Sequence, residues 1–349
     1  MTGKRFPKTI SKEKNMVTIK FIAQKAGVST ATVSRVLNHT KYVSPEVEKR
    51  VLQVVEKYNY SPSAVAIALS TNHTRTFGLL VADKVNMFQS QLLQYISYYS
   101  GICGYSNINA LCKEDFESKL KAIEMLQTKK VDVVVCTFDL TEQEKKKIRD
   151  RINIPIVGAG IAEKANGTFE GDKDAVFKAV EYLIKLGHTK IGGVFPKNEN
   201  RKGFIEGRQA GFMCALETYN IPVMKKYICD DVANMADAVQ KIRFIAKKDD
   251  YPTAIFCYSD EVAIGTMLYL AQISLRVPDD ISIIGFDGIP VGNVITPRLT
   301  TIVQPIDLMA KVLVEQMICV AEQKPFTISD ATLDKLKSHL EIRESCRSI

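Results

Sequence analysis

Three short segments near the amino terminus carry apolar residues at helical spacing. Ile19, Ile22, Ala23 and Ala26 fall at i, i+3, i+4 and i+7, which is one face of a short helix. Gly27 follows and supplies the positive φ that ends a helix and opens a tight turn. Ser29 then stands where an N-cap is needed, and Val33, Val36 and Leu37 give a second helix its inner face. Ser44-Pro45-Glu46 opens a third helix with an N-cap and a proline in the first turn, packed through Val47, Val51, Val54 and Val55. No strand alternation occurs between residues 17 and 58, and Ser61-Pro62-Ser63 breaks the helical pattern. Residues 1–16 are polar and aperiodic and are expected to be a disordered extension.

From Thr76 onward the period changes. Short β-branched runs (Phe77–Val81, Val131–Cys136, Ile154–Val157, Lys190–Val194, Ala254–Cys257, Ile281–Ile284) alternate with longer helical stretches. These are Gln89–Ile102, Glu117–Thr128, Ala175–Leu186, Gly203–Tyr219, Ala233–Lys247 and Glu261–Gln272. Such alternation predicts an α/β architecture of parallel sheets covered by helices on both faces. The stretch is long for one such domain, so two lobes are expected. The charge run Glu142–Lys147 reads as the solvated face of a helix.

Charge adds a direction to this division. The first 75 residues hold 13 of the 47 Lys and Arg but 4 of the 39 Asp and Glu. The excess positive charge of the chain, +8 overall, therefore lies in the helical head, on a body close to neutral. That asymmetry points to a head that meets nucleic acid or a charged membrane surface. No apolar run reaches the length of a membrane span, and no signal-peptide core is present. The eight cysteines form no C-x-x-C pair, and several sit inside apolar runs, as buried thiols in a reducing cytoplasm would.

Helix, short glycine turn, helix is the helix-turn-helix arrangement that lays its second helix in the DNA major groove. Outward on that helix lie Thr30, Ala31, Thr32, Ser34, Arg35 and Asn38. Small side chains allow close approach, hydroxyls suit phosphates, and Arg35 can read guanine bidentately. The run from Thr18 to Asn38, TIKFIAQKAGVSTATVSRVLN, resembles the head of the LacI/GalR family of bacterial transcription regulators, and the match continues through Asn59-Tyr60-Ser61-Pro62-Ser63-Ala64. The resemblance implies base reading by Thr30, Ala31 and Arg35, and phosphate contacts by Ser29, Thr32, Ser34 and Asn38. It also implies a hinge helix over residues 63–70, inside a linker 63–75, in which Leu69 matches the leucine that wedges into the minor groove. Ile67 departs from the Arg or Lys common two residues before that leucine.

The resemblance extends to Cys346 and implies a two-lobed, periplasmic-binding-protein-like effector domain over residues 76–349, after a head at 17–62. Its landmarks here are Leu183–His188, Arg208-Gln209-Ala210-Gly211-Phe212, Ser259–Gly265, Ile284-Gly285-Phe286-Asp287 and the closing His339–Cys346. Ligands of open α/β sheets bind beyond the carboxyl ends of strands, and Ser259 and Asp287 follow such strands. An arginine fork at 208 and a carboxylate at 287 can hold paired hydroxyls of a sugar, with Phe88 as an apolar platform. Ser259 stands where the family usually has Asn, and Asp172 or Asp174 substitutes for an Asp-Asn pair that is not reproduced. Asp260 is expected to support structure, and His188 to serve the turn after Gly187.

No enzyme motif is complete in the sequence. Gly158-Ala159-Gly160 begins a dinucleotide fingerprint, but position 163 is Glu. No phosphate loop, nucleophile elbow or H-e-x-x-H spacing is present, so neither cofactor nor metal is expected. The expected protein is a cytoplasmic, homodimeric regulator that binds double-stranded operator DNA and a small effector, a sugar or related metabolite, without a membrane. The alternative is a ligand-binding protein whose DNA head has lost function.

Overall fold

The computed structural model describes residues 17–38, 41–60, 73–138, 140–158, 168–197 and 204–349. The expected amino-terminal extension, the hinge helix with Ile67 and Leu69, and Gly160 to Glu163 lie outside them. The chain divides into two compact units, residues 1–74 and 75–349.

The first unit contains α1 (Ile19–Ala26), α2 (Thr30–Asn38) and α3 (Pro45–Lys57). Thr18 caps α1 by accepting the Phe21 N–H, and Gly27 ends it at φ +67°. Ile22, Ala23, Ala26, Val33, Val36 and Val51 close the core, with Leu37, Val47, Val54 and Val55 half-buried around it. Phe21 and Tyr58 meet edge to face at 4.9 Å, which ties α1 to the end of α3. Pro45 opens α3 as expected, but the Ser44 side chain makes no capping bond.

The second unit is α/β and two-lobed. The first lobe is built from β1 (Thr76–Ala82), α4 (Met87–Ile102), β2 (Ser106–Cys112), α5 (Phe116–Thr128), β3 (Val133–Cys136), α6 (Glu142–Arg149) and β4 (Ile156–Gly158). Its parallel sheet has the order β2-β1-β3-β4. The second lobe holds α7 (Thr168–Lys185), β5 (Ile191–Val194), α8 (Phe204–Thr218), β6 (Ile228–Cys229), α9 (Met235–Lys241), β7 (Ala254–Cys257), α10 (Asp260–Gln272), β8 (Ser282–Asp287) and β9 (Thr300–Val303). The chain then returns to lay α11 (Ile306–Ala321) on the first lobe, before α12 (Asp330–Lys335) and β10 (His339–Glu341). The second sheet runs β10-β9-β8-β7-β5-β6, with β10 antiparallel on β9 and the other pairs parallel.

Helices cover both faces of each sheet. In the first lobe α4 and α11 bury Leu92, Ile96, Leu313 and Met317 against Phe77, Leu79, Val133 and Val135. On the opposite face, α5 and α6 bury Leu120, Ile123 and Ile148 against Leu80 and Val134. In the second lobe α7 and α8 pack over Phe195, Phe256 and Phe286, and α9 and α10 cover Ile255, Ile281 and Ile283. Strands buried on both faces explain the near-continuous apolar runs in the sequence.

Three expectations need correction. The helix expected at Ala233–Lys247 is α9 followed by a separate 3-10 turn at Ile242–Phe244. The closing segment His339–Cys346, which fits the family's terminal strand, is a strand only over His339–Glu341. His188 does more than serve a turn. Its buried ring meets the Thr253 hydroxyl at 3.0 Å through Nδ1, and Ser282 Oγ at 3.0 Å and the Arg347 carbonyl at 3.1 Å through Nε2. It thereby ties the chain end to β8, and burial lowers its pKa.

Candidate functional site

In the first unit the geometry of α2 follows from its ends. Ser29 Oγ accepts the Thr32 N–H at 3.1 Å, so the serine caps the helix it precedes. Its hydroxyl also lies 2.9 Å from Thr32 Oγ1, which engages both side chains in a local bond. Val33 and Val36 point into the core, leaving Ser29, Thr30, Ala31 and Arg35 exposed, with Thr32 and Ser34 half-buried. Asn38 closes the helix. The chain then presents Lys41 and Tyr42 before α3, and Tyr42 is 89% exposed. An aromatic ring left that bare beside a lysine went unread in the sequence, because periodicity carries no signal for a loop.

In the second unit the polar centre is Arg208, buried in α8. Its Nε donates to Asp172 Oδ2 at 3.1 Å, and its Nη1 donates to the Tyr258 carbonyl at 2.7 Å. Nη1 also lies 3.4 Å from Asp287 Oδ1. The guanidinium is stacked on Phe286, 3.6 Å from the ring centroid. Gln304 Nε2 donates to Asp287 Oδ1 at 2.8 Å. Arg208, Asp172 and Asp287 therefore converge at the carboxyl ends of β7 and β8, where open sheets take their ligands. Of the two candidate carboxylates, Asp172 is buried beside Arg208 and Asp174 is exposed.

Electrostatics here are set by burial. Loss of water pushes the Asp287 pKa up to about 6, against the opposing pull of Arg208 and Gln304. Asp172 is also raised, burial outweighing its ion pair with Arg208. One guanidinium between two such carboxylates offers both donors and acceptors to a polar ligand, in a setting where each hydrogen bond is strong.

The other expected contacts are placed differently. Ser259 is buried and caps α10, accepting the Val262 N–H at 3.4 Å. Phe88, in the first turn of α4, is half-buried and packs against the apolar cluster of the second lobe that includes Val232, Val262 and Ile289. The start of α4 thereby reaches from the first lobe to the second. Asp260 is fully buried behind the site. Gln304 and the Tyr258 carbonyl were not singled out in the sequence. Gln304 directly follows β9, whose Val303 is in register with Asp287, so recognising β9 would have pointed to it.

Comparison with known proteins decides the family. Residues 18–63 match the family described as bacterial regulatory proteins, lacI family, and residues 180–346 match the periplasmic binding protein-like domain. The chain is 37% identical over 294 residues to the HTH-type transcriptional repressor PurR of Vibrio vulnificus, covering 83% of this chain and 87% of that protein. The chain belongs to the LacI family of bacterial regulatory proteins. It is 34% identical to the HTH-type transcriptional repressor PurR of Aliivibrio salmonicida, over 87% of this chain and 92% of that one. In fold it is similar to the lac repressor dimer bound to operator and the anti-inducer ONPF, with a TM-score of 0.79 at 22% identity over 95% of this chain and 99% of that one. A LacI family transcriptional regulator from Enterococcus faecium with bound ribose matches with a TM-score of 0.65 at 25% identity, over 78% of this chain and 99% of that one. As a LacI family member, the chain is a DNA-binding transcription regulator that responds to a ligand. Among the described residues, no helix is long and apolar enough to cross a membrane.

Proposed function

We propose that this LacI family protein is a cytoplasmic homodimeric repressor without enzymatic activity. Its α2 would read a pseudo-palindromic operator, and its cleft would bind a sugar or related polar metabolite. Thr30, Ala31 and Arg35 would face base edges, and Ser29, Thr32, Ser34 and Asn38 the phosphates, with Leu69 as the minor-groove wedge. The exposed Tyr42 and Lys41 would add backbone contacts beside α2. Arg208, Asp172 and Asp287 would hold the effector. Phe88 would close over it from the other lobe, and Ser259 would act through the helix it caps.

The observation that carries the effector reading is Arg208 itself. A buried guanidinium shared by two carboxylates, on an aromatic face at the ends of two strands, is costly to assemble and suits a polar ligand. A sugar is favoured because hydroxyl pairs can donate to the carboxylates and accept from the guanidinium at once, and the Enterococcus faecium relative carries bound ribose. Dimerisation would use α4, where Tyr98 and Ile102 lie one turn apart and are 62% and 64% exposed.

The test is Arg208→Ala against a panel that includes D-ribose and cellobiose, read by calorimetry and by operator affinity. Loss of the ligand response with operator affinity retained is the expected result. A normal response in the variant would remove Arg208 from the effector site.

A further inference from the structure

The Asp287 carboxylate is aimed by backbone that side-chain-bearing residues avoid. Asp287 has φ +113° and the next residue, Gly288, φ +74°. A Cβ on Gly288 would lie 2.9 Å from Val303 Cα, so the turn is also pressed against β9. Such a turn persists only where its surroundings determine it. Against it lies Asp260, the first residue of α10, which is fully buried.

Each carboxylate oxygen of Asp260 has a partner. Oδ2 accepts the Ile289 N–H at 2.8 Å, and Oδ1 accepts the Thr301 hydroxyl at 2.5 Å. The Gly288 amide faces the same carboxylate and favours its charged form. Successive N–H groups turned toward one acceptor form the concave donor arrangement that such turns offer. Gly285 completes the seat, because a Cβ there would stand 2.2 Å from Asp260 Oδ1. The oxygen occupies the space that a side chain on β8 would need.

We propose that Asp260 is the positioning residue of the effector cleft: by gripping the Gly288 and Ile289 N–H groups and Thr301, it fixes the strained turn that aims Asp287 at Arg208, without touching the ligand. The proposal rests on reading the Arg208–Asp172–Asp287 cluster as the effector site. Asp260 itself faces Asp287 from β8, Thr301 from β9 and Cys257 at the end of β7. Burial, reinforced by the Asp287 charge, pushes its pKa up to about 8. The amide protons it holds should therefore report its charge as the pH is varied.

The experiment uses the full chain with amide nitrogen labels on glycine and isoleucine. It compares the native protein with Asp260→Asn, Thr301→Val and Thr301→Ser. In the native protein the Gly288 and Ile289 amide shifts titrate together near pH 8, and in Asp260→Asn that titration vanishes. D-Ribose and cellobiose, as probes, bind Asp260→Asn about tenfold more weakly than the native protein, the scale of losing a net hydrogen bond or two at a buried carboxyl. Thr301→Ser retains native probe affinity and Thr301→Val weakens it, which keeps the test readable if Asp260→Asn does not fold. Amide shifts unchanged in Asp260→Asn, or probe affinity equal to native once they have changed, would overturn the proposal. If neither probe binds the native protein while the amide titration follows Asp260, the turn assignment is supported and the sugar reading of the cleft is what fails.

Discussion

At the scale of single residues, the chemistry depends on a few side chains whose neighbours settle what they can do. Arg35 is exposed on α2, so its removal should act on DNA and leave the fold alone. Arg35→Ala is expected to lose about 1–3 kcal/mol of discrimination at the base it reads while keeping most of its affinity for scrambled duplex. Competition binding with single-base operator variants measures this, and equal losses on every sequence would make Arg35 a phosphate contact. Asp260 makes a different prediction, about stability. Its folded pKa of about 8 lies above the ordinary carboxyl range, so the folded state holds this proton more tightly than the unfolded chain does. The stabilisation from this group is complete below about pH 4 and is lost as the pH rises through about 8. Melting temperature between pH 5 and 8 should therefore fall more steeply in the native protein than in Asp260→Asn. Identical slopes would mean that Asp260 titrates as it does in the unfolded chain.

Residue roles were unevenly legible before the fold was known. Arg208 could be picked out because it leads a segment resembling the family's, and Asp287 because it also follows a strand closely. The choice between Asp172 and Asp174 was not open to sequence reasoning. It turns on which side of α7 faces Arg208, and two residues along a helix point in very different directions. The grip of Asp260 on the turn after β8 was hidden for a related reason. It joins α10, β8 and β9 through backbone N–H groups, which leave no trace in residue type.

At the scale of elements, the helices and strands that alternate cleanly were predictable, because their apolar period is set by the sheet they cover. β2 was not, since its sequence SNINALC is broken by Asn107 and Asn109 and the strand lies at a sheet edge with only Ala110 and Cys112 buried. α11 is strongly apolar, but it belongs to the first lobe after the chain has built the second, and only the tertiary fold shows where it docks. The cap on α2 gives the prediction at this scale. Ser29→Ala removes the acceptor for the Thr32 N–H and should cost about 1 kcal/mol of head stability, seen as an earlier melting transition. Ser29→Asp should restore most of that loss, and failure to do so would show that the hydroxyl matters for something other than capping.

At the scale of the whole molecule, function is a linkage between two equilibria. Effector that binds one arrangement of the lobes better than another shifts their population, and any operator affinity coupled to that arrangement shifts with it. The concentration of positive charge in the first 75 residues supplies the non-specific attraction to DNA, which salt weakens. Paired half-sites need paired heads, so in the proposed homodimer dimerisation would set affinity. A charge placed in the exposed patch of α4, as in Ile102→Glu, should move the sedimentation coefficient toward that of a monomer and weaken operator binding together. A monomeric variant with native operator affinity would separate the two.

The most direct test of ligand-controlled operator binding is fluorescence anisotropy of the full chain on duplex from its own upstream region, against a scrambled duplex. It is run across a salt series with and without sugars. Tight binding to the native duplex, shifted by one sugar and unshifted in Arg208→Ala, is the predicted result. Weak binding that ignores sequence, falls steeply with salt and responds to no ligand would contradict it, leaving only the electrostatic attraction of the head.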